Sequence, residues 1–414
     1  MHTAPLTRRG VPIDPTLRVL ALGTLVNRAG GGAMVTTFAL FFTREVGFTA
    51  AQVGMVLSVG ALAGMLAQVP AGHLGDVRGP REVMRLLTAL TGIGSLLLIG
   101  TRSLPLLVAV LAFTEAADRG SGAIRNGYIA RVAVGGRGVQ FKAYLRAVTN
   151  VAMAFGALLG GIALTIDRPW AYLAVFALDG VSSLATSVLF ARLPRLEPAP
   201  PRGEGEPRLA VLRDKPFVVV TLLSGIVSMH FVVMEVGIPL WISQHTAAPT
   251  SMVAVLLVVN TVAVALFQVR LTRGTDAVAA SAGTMLRGGL WIAAAFVVLS
   301  FSDGVSAGVA VVVLLLGAGV HVIGEMVTSG GQWGVSMGLA PAERQGQYQG
   351  FAGLGFGLSN VLAPTLITVL CIGWGRPGWF VMAGLVLVAA ALIGPACSWA
   401  LRTRERYGAL TASG

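Results

Sequence analysis

The sequence predicts an all-α polytopic membrane protein with twelve transmembrane helices in two pseudo-symmetric six-helix bundles. Three observations carry this reading. Hydrophobic residues make up 55% of the 414 positions and charged residues 12%, whereas a soluble protein is about 25% charged. Mean hydropathy is +0.78, and a water-facing surface cannot be covered from so few polar groups. The apolar residues also fall into twelve runs separated by charged loops. A span needs about 20 residues, so twelve take up roughly 240, which the apolar fraction supplies. This excludes a soluble enzyme, a disordered chain and a secreted disulfide scaffold.

The first run, 17–42, is too long for a signal peptide and is read as the first span. The next five are 51–71, 84–101, 104–124, 145–165 and 170–191. Residues 192–215, rich in Pro, Gly and charge, cannot pack a core and form a flexible tether. Beyond them come 216–243, 250–270, 284–302, 306–331, 348–371 and 378–400. The domains are therefore an N-terminal bundle 1–191, a central loop 192–215 and a C-terminal bundle 216–414. Faint internal symmetry supports the division: LAQV at 66–69 is echoed by LFQV at 266–269, and Arg85 by Arg287.

Net charge is +12. With the N-terminus inside, 24 of the 30 Lys and Arg residues fall on one side, four on the other and two within spans. That bias places both termini and the central loop in the cytoplasm of a multi-pass inner (plasma) membrane protein. It accounts for the basic charge without nucleic acid. Cys371 and Cys397 both sit in apolar runs, so neither a metal spacing nor a disulfide framework is expected, and no cofactor is implied. GVSMG at 334–338 has the G-x-S-x-G pattern but lacks the preceding strand that a nucleophile elbow requires.

Ionisable groups inside a bilayer are expensive and mark functional sites. Here they gather on four spans: Arg28, with polar Asn27 beside it, on the first, Glu115, Asp118 and Arg119 on the fourth, His230 and Glu235 on the seventh, His321 and Glu325 on the tenth. Asp179 is on the sixth. Counting helical rise puts Arg28 and Glu115 at similar depth, able to pair, with Asp118 and Arg119 deeper. His321 and Glu325 are four apart and share one helix face. Such groups line a substrate and proton cavity, or lock helices as ion pairs.

The segment GHLGDVRGPREVMR, 72–85, reads as a tight turn allowed by Gly72, Gly75 and Gly79. Asp76 there can meet a helix N-terminus or an arginine on a facing helix. At Gly72, Leu74, Asp76, Gly79 and Arg81 the segment resembles the loop between the second and third helices of the major facilitator superfamily, with Arg78 beside a usual arginine position. Val77 and Pro80 depart from the pattern. The stretch 324–350, with Glu325, Pro341, Arg344 and Tyr348, is similar to bacterial multidrug-exporter-like, drug:proton antiporter members. The fifth span lacks the proline of the antiporter branch, which leaves direction open. The resemblance implies the major facilitator fold, and a gating motif at Gly72, Asp76, Arg78, Gly79 and Arg81 that latches the cytoplasmic side.

The resulting expectation is a monomeric secondary active transporter in the lipid bilayer, exporting a small-molecule substrate in exchange for protons by alternating access. Glu325 with His321, or Asp118, carries the proton. Uptake of a metabolite is the alternative within transport. A receptor or scaffold is the alternative outside it, but has no need of cavity charges.

Overall fold

A computed structural model describes residues 12–133, 137–200, 209–272, 274–275 and 277–404. Arg8, Arg9, Arg202, Arg208, Arg273 and Arg406 of the basic set lie outside these residues. Twelve long helices follow one another: α1 Pro15–Leu40, α2 Ala50–Arg78, α3 Pro80–Leu98, α4 Leu104–Val132, α5 Arg137–Ile166, α6 Pro169–Phe190, α7 Lys215–His245, α8 Met252–Leu271, α9 Val278–Ser300, α10 Ala307–Leu339, α11 Gln345–Ile367 and α12 Arg376–Arg402. Among the described residues nine are long and apolar enough to cross a membrane. The remaining three, α1, α3 and α4, are diluted by the polar residues they carry, Arg28, Arg85 and Asp118 among them.

Several helices overrun the apolar runs. α4 continues to Val132 instead of stopping near 124, and α10 to Leu339 instead of 331. Hydropathy finds only the lipid-facing length, whereas the backbone hydrogen-bond ladder continues beyond it, through Gly127 in α4 and Gly334 in α10. α7 contains a π turn at Val233–Gly237. Pro239 explains it: its ring crowds the carbonyl four residues earlier, at Glu235, and a wider turn relieves the clash.

The chain forms two compact units. Unit 1 holds Met1–Ala133, Tyr144–Leu209 and Ala342–Phe351; unit 2 holds Val134–Ala143, Ala210–Pro341 and Ala352–Gly414. In unit 1, α1 and α3 pack on α6, while α2 and α3 pack on α4. In unit 2, α7 and α9 pack on α12, while α8 and α10 pair and α9 packs on α10. Adding six to each helix number in the first set gives the second, which is the internal repeat written as packing. Gln68 on α2 and Gln268 on α8, the repeated glutamines, are both buried.

Both units turn apolar side chains outward. Leu158 and Val188 are each 69% exposed, as suits a lipid solvent. Inside unit 1, Phe41 packs edge-on against Phe176 at 5.1 Å between ring centres, with Phe38 and Phe42 in the same cluster. Inside unit 2, Trp241 and Phe296 both meet Trp379, at 5.4 and 5.7 Å.

α1 and α5 approach closely at Gly32, where a Cβ would lie 2.6 Å from the Met153 carbonyl oxygen. Gly161 on α5 has nothing within 4 Å of such a position. Gly32→Ala is expected to destabilise the protein by roughly 1–3 kcal/mol through overpacking. Gly161→Ala is expected to leave it unchanged or to stabilise it by up to about 1 kcal/mol. Thermal unfolding of the two variants in one detergent checks the contrast.

Candidate functional site

Unit 1 encloses a cavity of about 90 Å³ lined by residues of α1, α3, α4, α5 and α6, including Asn27, Arg28, Glu115, Asp118 and Asp179. Four of these polar side chains come from the middles of their helices. Asn27 donates to Ser183 Oγ at 3.0 Å, tying α1 to α6. Asp179 accepts from Ser95 Oγ at 2.6 Å, tying α6 to α3. Asn27 and Asp179 are 8% and 4% exposed. Buried carboxyl and amide groups hold such positions only when hydrogen-bonded.

Arg28 meets Asp118, at 3.5 Å from one guanidinium nitrogen to each carboxylate oxygen. This corrects the pairing expected from depth. Asp118 is the middle residue of α4 as it actually runs, and Arg28 lies near the middle of α1, so the two sit level. The misplaced end of α4 had moved Glu115 to the centre in its stead. Glu115 pairs instead with Arg119, one turn on, at 3.4 Å. Arg119 therefore does not pair with Asp118, and it is exposed. Arg125, two turns along α4 from Asp118, adds to the positive field at that carboxylate. It lies just past the apolar run 104–124 yet within the helix.

The motif at 72–85 is helical almost throughout. Gly72 and Gly75 lie within α2, and the turn is Gly79 alone, with φ 96°, a value that glycine adopts without strain. Gly72 and Gly75 serve packing: a Cβ on Gly75 would come 2.9 Å from Ile124. Asp76 is 3% exposed and takes the helix N-terminus of its two options. Its Oδ1 accepts from the Gly346 amide and its Oδ2 from the Gln347 amide, both at 2.8 Å. These are amides of the first turn of α11, which have no partner within their own helix. Arg78 is exposed at the end of α2. Arg81 is ion-paired with Glu82 and donates to the Leu193 carbonyl at 3.0 Å.

The described part of the central loop is held down. Tyr128 donates to the Pro194 carbonyl at 2.9 Å, Arg131 to the Glu197 carbonyl at 2.7 Å, and the Ala199 amide to the Asp76 carbonyl at 2.7 Å. Residues 191–199 are thus a strap on the end of α2 and α4, which corrects the expected tether over this stretch.

In unit 2, His230 Nδ1 lies 3.2 Å from His321 Nε2, and His321 Nδ1 lies 3.7 Å from Glu325 Oε2. Asn260 on α8 donates to the same Glu325 oxygen at 2.7 Å. Asn260 is an uncharged amide inside an apolar run, and nothing in the sequence marks it as a partner of Glu325. Glu235 lies in the π turn and is exposed. Phe38 belongs to the aromatic core, and Trp333 lies under Lys142, whose ammonium is 5.5 Å from the ring centre.

Substituting Asp76 by Ala removes two charge-assisted bonds, each contributing about 1.5–3 kcal/mol. A cysteine placed at Gln347, in a chain whose Cys371 and Cys397 are replaced by serine, is expected to react with a maleimide at least tenfold faster in the Asp76→Ala background. An unchanged rate would show that the carboxylate does not hold this turn.

The Major Facilitator Superfamily profile matches residues 20–330. A Deinococcus radiodurans protein named "Putative sugar efflux transporter" is 28% identical over 229 residues, 54% of this chain and 57% of the relative. The chain thus spans little more than half the length of that curated relative. Among solved structures, the human organic anion transporter MFSD10 (TETRAN) is 16% identical with a TM-score of 0.67, covering 91% of this chain and 98% of its own. A bacterial homologue of the iron transporter ferroportin in its outward-facing state is 16% identical with a TM-score of 0.70, covering 94% and 100%. At such identity these likenesses speak for the fold. With the profile match spanning both units and the six-helix packing repeated, the chain belongs to the major facilitator superfamily, a family of multi-pass membrane transporters.

Proposed function

We propose that the chain is a proton-coupled exporter of small hydroxylated molecules, working by alternating access, with the unit 1 cavity contributing the substrate-contacting wall. The Arg28–Asp118 pair inside that cavity carries the reading. At 3.5 Å, with the two side chains 27% and 26% exposed, the pair is long and reachable by water. A partly solvated pair of this kind contributes about 1 kcal/mol or less, so a proton or a substrate hydroxyl can displace it. Asn27, Asp179, Thr91 and Thr114 on the same wall offer the mixed donors and acceptors that a polyhydroxylated molecule needs. The name of the Deinococcus radiodurans relative supports a sugar as substrate and outward movement as direction.

In this mechanism ionised Asp118 holds Arg28 until substrate binds. Protonation of Asp118 from outside then removes the charge that the substrate hydroxyls contact in place of Arg28 and loosens the substrate. Proton and substrate compete for one charge, which is sufficient for exchange. The contact between Asp76 and the first turn of α11 is the gate that opens and closes around this cycle. The bodies that move are the bundles 1–191 and 216–414, joined by 192–215. The protein works as a monomer in the plasma membrane with both termini cytoplasmic, in line with the distribution of Lys and Arg.

The test uses proteoliposomes with a pH-sensitive dye inside and a panel of sugars outside. A sugar is expected to discharge an imposed proton gradient in the parent. The Asp118→Asn variant is expected to exchange labelled sugar while moving at least tenfold fewer protons. Proton movement that survives in Asp118→Asn would overturn the assignment. Arg28→Lys, which keeps the charge but loses the fork, is expected to weaken sugar binding without abolishing proton movement.

A further inference from the structure

The cluster in unit 2 has a chemistry that the transport reading does not use. His230 on α7 and His321 on α10 are 1% and 0% exposed, and Glu325, one turn beyond His321, is 4% exposed. One nitrogen from each histidine and one oxygen from Glu325 all lie within 4.8 Å of one another. Two helices far apart in sequence therefore bring two imidazoles and a carboxylate together, the latter two one turn apart on the same helix.

The geometry suits a small divalent transition cation. Ligand nitrogens at about 2.0–2.1 Å from a tetrahedral zinc stand roughly 3.3 Å apart, and the two histidine nitrogens stand 3.2 Å apart. A cation there takes the place of the proton that the two rings now share. The Glu325 oxygen, the third candidate ligand, lies within 4.8 Å of the histidine nitrogens. Two imidazoles with one carboxylate favour zinc, cobalt or ferrous iron over magnesium and calcium, which prefer oxygen-only sets. Three protein ligands leave a fourth position open.

The surroundings are those of a prepared site. Asn260 holds the Glu325 oxygen at 2.7 Å, as outer residues hold ligating carboxylates. The Phe231 ring lies 4.1 Å from the His230 ring centre, and Phe296 stacks on His321 at 6.3 Å and 19°. These rings keep water away and fix the imidazole planes.

We infer that unit 2 carries a binding site for a divalent transition-metal ion, with His230, His321 and Glu325 as ligands and Asn260 positioning the carboxylate. The cation joins α7 to α10 within that unit.

The test takes the purified full-length protein, freed of any affinity tag and of metal, and titrates it with cobalt(II). One cobalt per chain, with the strong visible absorption of a four-coordinate ion that zinc then bleaches, is the expected result. His230→Asn, His321→Gln and Glu325→Gln are each expected to weaken binding at least a hundredfold, and Asn260→Ala by 10–100-fold. Zinc is expected to raise the melting temperature of the parent but not of the ligand variants. Any variant that does not elute as the parent does is replaced by the alternative amide at that position. No cobalt spectrum in the folded parent, or binding undiminished by all three ligand substitutions, overturns the site and leaves the cluster a structural polar group only. Neither result bears on proton movement through Asp118.

Discussion

A charge buried in a membrane must find its counter-charge or a fixed dipole, because leaving it alone at mid-depth costs roughly 3 kcal/mol or more. Much of the arrangement follows from that constraint. Arg28 finds its counter-charge in Asp118, across α1 and α4 of unit 1. Asp179 fixes α6 against α3 through Ser95. Asp76 uses the amides of a helix end. The apolar remainder packs by shape, with glycines such as Gly32 setting how near two helices come. Polar contacts thus set register, and small residues set distance.

The same constraint divides the two units chemically. The polar residues of unit 1 include both signs and a small cavity, so the group can exchange one partner for another. Those of unit 2 form a compact buried cluster of His230, His321 and Glu325, with Asn260 on the carboxylate. It draws on α7, α8 and α10. The repeat that relates the units in helix packing does not extend to what their middles contain.

Much of this was legible in the sequence, and the exceptions have physical reasons. Twelve runs gave twelve helices because lipid-facing length is written directly in hydropathy. The concentration of charge on four helices was visible for the same reason: each charge interrupts an apolar run. The partner of Arg28 was not, because α4 extends past Arg125 and Arg131, whose charges look like a loop. Ser95, Ser183 and Asn260 escaped notice since uncharged polar residues are common in spans and carry no mark of a partner. The strap at 191–199 is held largely by its backbone carbonyls, and a carbonyl has no sequence identity. The turn at 72–85 was placed correctly but drawn too wide, since only φ 96° at Gly79 separates its one bent residue from its helical neighbours.

That single bent residue makes α2 a lever with its fulcrum at one end. Asp76 lies three residues from Gly79, about 4.5 Å along the axis, while Ala50 lies 29 residues away, about 43 Å. A tilt about Gly79 that carries the far end through about 5 Å therefore moves Asp76 by only about 0.5 Å, little enough for a 2.8 Å hydrogen bond to survive. Small rocking of α2 is filtered out, and only a large excursion reaches the carboxylate. The short arm gives the contact with α11 a threshold, so that it reports completed movements of the helix and ignores its thermal motion.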